Sequence, residues 1–138
     1  IKPEDNAQEA LALLIKMEIS GLPVIDTKGR LVGMFTEKDI LRHALPSYLE
    51  QVGSFVYDEN PKSTRKKFIE LSSLKVNQLM RKEVITINED ATLCEVARIM
   101  LVEKARRIPV LDVSGKVVGI VSRGDILKAL FKEAELPI

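Results

Sequence analysis

Two short segments of the sequence combine a hydroxyl group with a carboxyl group three residues later. They are Thr36-Glu37-Lys38-Asp39 and Ser122-Arg123-Gly124-Asp125. The pattern is typical of a helix N-cap followed by an acid in the first turn, where the acid favours the helix dipole. It can also bind a sugar, because the aspartate can accept hydrogen bonds from both hydroxyls of a ribose while the serine or threonine hydroxyl reaches the same sugar. The residues alone favour neither interpretation.

Other polar positions carry less information. Arg106-Arg107 precedes an apolar run, where a pair of arginines is commonly surface charge. Thr86 can hydrogen-bond a base or sugar, or simply reflect β propensity. Cys94 and His43 are the only residues of their types. We interpret Cys94 as a packing or surface residue and His43 as a surface or interface residue.

The sequence lacks the patterns of catalytic and metal sites. It contains no recognisable Ser-His-Asp set, no pair of carboxylates beside a histidine and no Gly-x-Gly-x-x-Gly loop. A single cysteine excludes an internal disulfide and a multi-thiolate metal site. We therefore predict neither an enzyme nor a metal site.

The elements that must position the candidate residues occur twice. Segment 22–41 returns as 108–127 at a constant offset of 86 residues, without a gap. The positions that keep the same residue include Pro23/Pro109, Asp26/Asp112, Gly29/Gly115, Gly33/Gly119 and Asp39/Asp125. Each copy is one supersecondary unit near the lower size limit for independent stability. We therefore expect the copies to pack on each other, with the functional site where they meet.

The second copy has the pattern strand, helix, strand, strand, helix. Alternation and β-branched residues predict the first strand, a capping box predicts the first helix, and Gly115 is predicted to take the positive φ of a tight turn. The predicted elements are a strand over 84–87, a helix from about 93 to 104, strands over 108–112 and 117–121, and a helix that opens at Ser122–Asp125.

The first copy follows the same plan, but its leading strand is nearly absent because Ile1 aligns with Ile87. We predict a first repeat over 1–45, a linker with short helices over 46–75 and a second repeat over 76–138. The basic run at 62–67 is typical of a solvated helix face, with nucleic-acid binding as the alternative.

Composition places the chain among soluble globular domains. Of its 138 residues, 46% are hydrophobic and 30% charged, and the net charge is +1. This balance gives no general reason to expect nucleic acid or a membrane as a partner, and no apolar run approaches the roughly 18 residues of a membrane span. The single cysteine is compatible with a reducing compartment, and we predict a cytoplasmic protein.

The duplicated pattern resembles the cystathionine β-synthase (CBS) domain, and the pair resembles a Bateman module. The pattern is Leu/Ile-Pro-Val-hydrophobic-Asp, a glycine three residues on, and then Gly-hydrophobic-hydrophobic-Ser/Thr-x-x-Asp-Ile-Leu. It covers the chain except for 46–75 and the missing first strand. The resemblance implies an α+β fold of two pseudo-twofold-related β-α-β-β-α repeats, packed through their sheets with their helices outward.

The resemblance also implies a function. Modules of this kind are regulatory rather than enzymatic, and they bind adenosine-containing ligands in clefts between the repeats. For this chain we expect AMP, ADP or ATP rather than NAD or S-adenosylmethionine, no required cofactor, and an attached or separate protein that is regulated. The alternative is a dimerisation or interaction module with empty clefts.

Carried onto this sequence, the family pattern assigns the ribose to Asp39 or Asp125 and a phosphate to Arg107. The predicted ligand-binding residues are Ser20, Gly21, Leu22, Pro23, Thr36, Asp39, Thr86, Arg106, Arg107, Ile108, Pro109, Ser122, Arg123 and Asp125. The clefts should be unequal, because Arg106-Arg107 aligns with the uncharged Ser20-Gly21. We expect the stronger cleft to combine Thr36 and Asp39 with Thr86, Arg106 and Arg107.

The second helix of each copy also predicts a homodimer. The two helices carry more apolar residues than one inner face is expected to cover. These residues are Ile40, Leu41, Ala44 and Leu45 in one copy and Ile126, Leu127, Leu130 and Phe131 in the other.

Overall fold

The chain forms two α+β units, and the computed structural model describes residues 1–44 and 61–135, with the side chains of 61–64 left out. Unit 1 contains Ile1–Thr27 and Val32–Glu83, and unit 2 contains Lys28–Leu31 and Val84–Ile138. The predicted α+β fold class is confirmed. No helix in the described residues is long and apolar enough to cross a membrane.

Unit 1 is built on a two-stranded sheet and helices whose ends follow local sequence signals. Asn6 caps the first helix, since its Oδ1 accepts hydrogen bonds from the Gln8 and Glu9 N–H groups at 2.9 and 3.1 Å. The elements are α1 Ala7–Met17, β1 Gly21–Ile25, β2 Leu31–Thr36, α2 Glu37–Ala44, α3 Pro61–Glu70, a 3-10 turn Leu71–Ser73 and α4 Val76–Leu79.

Unit 2 has the predicted order of elements around a three-stranded sheet. The sheet order is β3-β4-β5, with β3 parallel and β5 antiparallel to β4. Gly115 has the predicted positive φ, 85°, in the turn between β4 and β5. The elements are β3 Ile87–Asn88, α5 Leu93–Val102, β4 Arg107–Leu111, β5 Val117–Ser122 and α6 Arg123–Glu133.

The predicted first strand over 84–87 is mostly wrong, because only Ile87–Asn88 pair with β4. Ile87 lies beside Val110, so a longer parallel ladder would run alongside Pro109. Proline has no N–H to donate to a neighbouring strand, and the ladder ends there.

The described part of the predicted linker is integral to unit 1. The Ala7 N–H donates to the Leu74 carbonyl oxygen at 2.9 Å, and the Val76 N–H donates to that of Asp5 at 2.8 Å. Leu71 and Val76 are buried in the same core as Phe35 and Ile40. The packing boundary therefore lies after Glu83, whereas we predict that the sequence repeat begins at 76.

The turn between β1 and β2 belongs to unit 2. The Gly29 carbonyl oxygen accepts a hydrogen bond from the Val117 N–H at 3.0 Å. Arg30 and Lys116 form an isolated antiparallel bridge. Gly29 has a φ of 82°, which the absence of a side chain permits.

Burial corrects the apolar surface that we expected on the second helix of each copy. Ile40, Ala44 and Ile126 are buried core residues rather than outward ones. Leu127 and Phe131 are 66% and 41% exposed, and Leu41 is also exposed. Leu130 is half-buried, and Leu45 lies outside the described residues.

Candidate functional site

Asp39 is held at the start of α2 by the hydroxyl residue three positions before it. The Thr36 N–H and hydroxyl donate to Asp39 Oδ2 at 2.8 and 3.0 Å. Arg42 Nη1 lies 3.5 Å from Asp39 Oδ1. Asp39 is only 7% exposed, so the first repeat presents a carboxylate that is already hydrogen-bonded and largely covered.

Asp125 occupies the matching position at the start of α6 but is exposed. The Ser122 N–H donates to Asp125 Oδ2 at 2.8 Å, and the Asp125 N–H donates to Ser122 Oγ at 3.2 Å. The hydrogen bonds from the Ser122 N–H and hydroxyl, together with the charges of Lys128 and Arg107, lower the pKa of Asp125. Asp125 is therefore an ionised acceptor at neutral pH.

The start of the first hairpin strand in each unit lies beside the start of the helix that carries the aspartate. In unit 1, the Glu37 N–H donates to the Ser20 carbonyl oxygen at 2.8 Å. In unit 2, the Arg123 N–H donates to that of Arg106 at 3.1 Å. This shared hydrogen bond brings strand-start residues and helix-start residues together within one repeat.

In unit 1, close packing at Gly21 brings β1 against Thr36. A Cβ atom added to Gly21 would lie 2.8 Å from Thr36 Cγ2 and 3.0 Å from the Phe35 carbonyl oxygen. Pro23 is buried and Leu22 is half-buried, whereas Ser20 is exposed. Any larger residue at Gly21 would therefore push the strand away from the sugar-binding candidates.

In unit 2, the strand start adds positive charge to the aspartate site. Arg106 and Arg107 are exposed, while the following Ile108 and Pro109 are buried. The effect of Arg107 on the pKa of Asp125 places its charge within electrostatic range of that carboxylate. The Arg123 Nε–H donates to the Ala105 carbonyl oxygen at 3.1 Å.

Two sets of predicted residues are therefore brought together, one within each unit. Thr86 is half-buried directly before β3. The predicted combination of Thr36 and Asp39 with Thr86, Arg106 and Arg107 stays a prediction. The two sets are Ser20, Gly21, Thr36 and Asp39, and Arg106, Arg107, Ser122, Arg123 and Asp125.

Sequence reasoning missed Arg42 and Lys128. Both lie three residues after a candidate aspartate, and the repeat aligns them with each other. Arg42 is paired with Asp39, and Lys128 lowers the pKa of Asp125. A basic residue one helical turn after an acid is a readable signal for such a pair.

The geometry is suited to binding a polyol and an anion. The carboxylate can accept hydrogen bonds from sugar hydroxyls, and the adjacent hydroxyl can donate a hydrogen bond to them. An arginine can bind phosphate through two parallel hydrogen bonds. Within residues 1–44 and 61–135, no group of three His, Cys, Asp or Glu residues could hold a metal ion.

Comparison with known proteins places these motifs in a family. The CBS domain model matches residues 1–46 and 76–132. The chain is 34% identical to CBSX2, a chloroplastic CBS domain-containing protein of Arabidopsis thaliana, over 94% of this chain and 57% of that protein. It therefore spans just over half the length of that relative. An uncharacterised protein of Methanocaldococcus jannaschii is 33% identical over 92% of this chain and 83% of its own length.

Solved structures of a CBS-pair protein support the same family assignment. The crystal structure of CBSX2 in complex with AMP has a TM-score of 0.73 and 29% identity, and the match covers 97% of this chain and 87% of that one. A second CBSX2 structure has a TM-score of 0.76 and 27% identity, with coverage of 99% and 88%.

Proposed function

The chain belongs to the CBS domain family as a tandem CBS pair, and we propose that it is a regulatory module that binds an adenine nucleotide of the AMP, ADP or ATP class. The single observation that carries this proposal is the group formed by Asp125, Ser122 and Arg107 in unit 2. It combines an ionised acceptor for ribose hydroxyls with a cation for phosphate. The AMP complex of CBSX2 supports the choice of an adenosine ligand.

We assign the ribose and the phosphate of the tighter site to residues of the same repeat. Arg107 and Asp125 interact electrostatically within unit 2. Asp39 is covered and already has Thr36 and Arg42 as partners. This assignment differs from the sequence-based expectation, which combined Asp39 with Arg107, and the two can be separated by mutation.

We propose a sensing role without catalysis, in a cytoplasmic, reducing compartment where Cys94 stays a free thiol. Nucleotide binding then regulates an attached or separate protein, and the nucleotide can shift the conformation only by its difference in affinity for the two states. A homodimer through α6 is part of the proposal, because Leu127 and Phe131 are exposed on that helix. Sedimentation of a clean monomer at tens of micromolar would contradict the dimer.

The nucleotide site is tested by calorimetric titration of AMP into the wild type and three alanine variants. Charge-assisted hydrogen bonds contribute roughly 1.5 to 3 kcal/mol, so we expect Arg107→Ala to weaken the tightest site by about ten- to a hundredfold. Asp125→Ala should abolish that site, and Asp39→Ala should leave it unchanged. Arg98→Ala, an exposed arginine on α5, is the matched control.

Two outcomes would change the assignment. If Asp39→Ala abolishes the tightest site and Asp125→Ala does not, ribose and phosphate are bound by different repeats. If AMP, ADP, ATP, NAD and S-adenosylmethionine all leave the unfolding temperature unchanged, the chain is an interaction module with empty sites, because a ligand that binds only the folded form must stabilise it.

A further inference from the structure

Two basic residues lie opposite each other where the turn between β1 and β2 meets the hairpin of unit 2. Arg30 and Lys116 are direct partners in an isolated antiparallel bridge within that unit. They also occupy the same position of the repeat, at the constant offset of 86 residues. Both side chains are exposed, so two equivalent cations share one place on the surface.

The hydrogen bonds around this pair show how close the two residues are. The Val117 N–H donates to the Gly29 carbonyl oxygen at 3.0 Å, which joins the residues that flank the pair. The Lys116 N–H donates to Asp112 Oδ1 at 3.0 Å, and the Lys116 carbonyl oxygen accepts from the Asp112 N–H at 2.9 Å. Arg30 and Lys116 are therefore a non-hydrogen-bonded pair, in which Cα atoms are only about 4.5 Å apart and side chains lie closest.

The lysine side chain lies along the turn that contains Arg30. A Cβ atom added to Gly29 would lie 3.8 Å from Lys116 Cγ and 3.9 Å from Lys116 Cδ. The aliphatic part of Lys116 is therefore placed beside the backbone of this turn. Lys28, on the other side of Gly29, is also exposed and adds a third positive charge.

The charges of the two turns do not balance. Segments 26–30 and 112–116 contain three basic residues and two aspartates. Asp112 is used within its own turn, because its Oδ1 also accepts hydrogen bonds from the Ser114 N–H and hydroxyl at 2.9 and 2.7 Å. Like charges at directly opposite positions destabilise an antiparallel pair. Natural proteins break such local rules mainly at functional sites.

We propose that Arg30 and Lys116 form a binding site for a phosphate group, distinct from the proposed nucleotide site at Arg107 and Asp125. The arginine supplies two parallel hydrogen bonds to phosphate oxygens, and the lysine supplies a compact positive charge. A phosphate dianion matches the charge of the pair better than a single carboxylate does. Bound by both side chains, it replaces their repulsion with attraction and strengthens the contact between the turn and β5.

The test is a titration of the full chain with inorganic phosphate, followed by NMR of the backbone amides at constant ionic strength. The chain carries Arg107→Ala, which removes the phosphate contact of the proposed nucleotide site. We expect saturable shifts of the Gly29 and Lys116 amide signals. Lys116→Gln should weaken binding by about fivefold, and Arg30→Gln should weaken it more, because the arginine supplies two hydrogen bonds. Lys132→Gln, at an exposed lysine on α6, is the matched control.

Thermal unfolding provides a second measurement. Phosphate should stabilise the Arg107→Ala chain, because it binds the folded form, and Lys116→Glu in that chain should remove this stabilisation. Repeating the titration with phosphoserine distinguishes free phosphate from a phosphate ester as the preferred ligand.

Three results would overturn the phosphate site. The first is equal phosphate binding with and without Arg30→Gln and Lys116→Gln. The second is the absence of shifts at the Gly29 and Lys116 amides. The third is a lower unfolding temperature for Lys116→Glu in chloride, because an opposite charge beside Arg30 should relieve the repulsion.

Discussion

β2 and β5 have the same sequence pattern and different surroundings. Gly33, Met34 and Phe35 are buried, whereas Gly119 and Ile120 are exposed and Val121 is half-buried. The difference comes from residues 71–81, which cover β2 and have no described counterpart at β5. Burial in this protein is therefore decided by the element that packs on a strand as much as by the strand's own residues.

The two candidate aspartates also differ in burial although their motifs match. Both accept a hydrogen bond from the backbone N–H of the hydroxyl residue three positions before them, at 2.8 Å. Asp39 is covered, and Asp125 is open to solvent. Equal motifs thus produce equal local geometry, while access to a ligand depends on distant parts of the chain.

The largest expected difference between the repeats is in their cores. Phe35→Ala should lower the free energy of unfolding by about 3 to 5 kcal/mol, because Phe35 is fully buried. Val121→Ala, at the matching half-buried position, should lower the free energy of unfolding by clearly less. Urea unfolding followed by circular dichroism measures both, and equal losses would show that β5 is covered in solution.

The next largest difference in stability is expected when Gly33 and Gly119 are each replaced by valine. Gly33→Val forces a side chain against Met80 and Arg81, and overpacking of this kind costs about 1 to 3 kcal/mol. Gly119→Val has open space and should change stability by less than about 0.5 kcal/mol. The same unfolding experiment separates the two variants. A large loss of stability for Gly119→Val would contradict the open space beside Gly119.

A smaller difference is expected at the helix caps. Asn6→Ala removes two N-cap hydrogen bonds and a third from Asn6 Nδ2 to the Ser72 carbonyl oxygen, and it should cost about 1 to 2 kcal/mol. Thr92→Ala removes one bond, to the Glu95 N–H at 3.2 Å, and should cost less. If Thr92→Ala lowers the free energy of unfolding by as much as Asn6→Ala does, the hydrogen bond from Asn6 to Ser72 does not stabilise the fold.

The smallest expected effect is the pH dependence of Asp125. Its pKa is lowered in the folded state, so its stabilising effect is present above the ordinary carboxyl range, about pH 4, and is lost as the pH falls through the folded pKa. Carbon-13 NMR titration of the carboxyl group should give a midpoint below the ordinary value. Ser122→Ala should raise that midpoint, and an unchanged midpoint would exclude the hydroxyl as a cause.

Local features were readable from the sequence, and non-local ones were not. Ser122 caps its helix as predicted, and Gly115 adopts the expected positive φ, because neighbouring residues decide caps and tight turns. The family and the fold class were predicted from the resemblance of the duplicated motif to the CBS domain. The integration of residues 71–81 into unit 1 had no local signal, because it depends on contacts with α1 and β2.

The sequence likewise predicted the local features of the candidate site but not the non-local ones. The motif around Asp125 was found from residue types alone, since hydroxyl and acid lie three residues apart. The covering of Asp39 and the role of Arg42 depend on how α2 packs, which composition and spacing do not specify. Residues 84–86 illustrate a further limit, because a favourable strand sequence stays unpaired when its neighbour is a proline.

The turn that carries Gly29 and Arg30 has a consequence for how the protein is made. During synthesis this turn leaves the ribosome long before Val117 and Lys116, its partners in unit 2. Contacts between such distant parts of a chain form slowly, because the loop between them must close first. The turn of the first repeat therefore stays unfinished until the hairpin of the second repeat has been translated, and a gene cut between the two units would leave this turn without its partners.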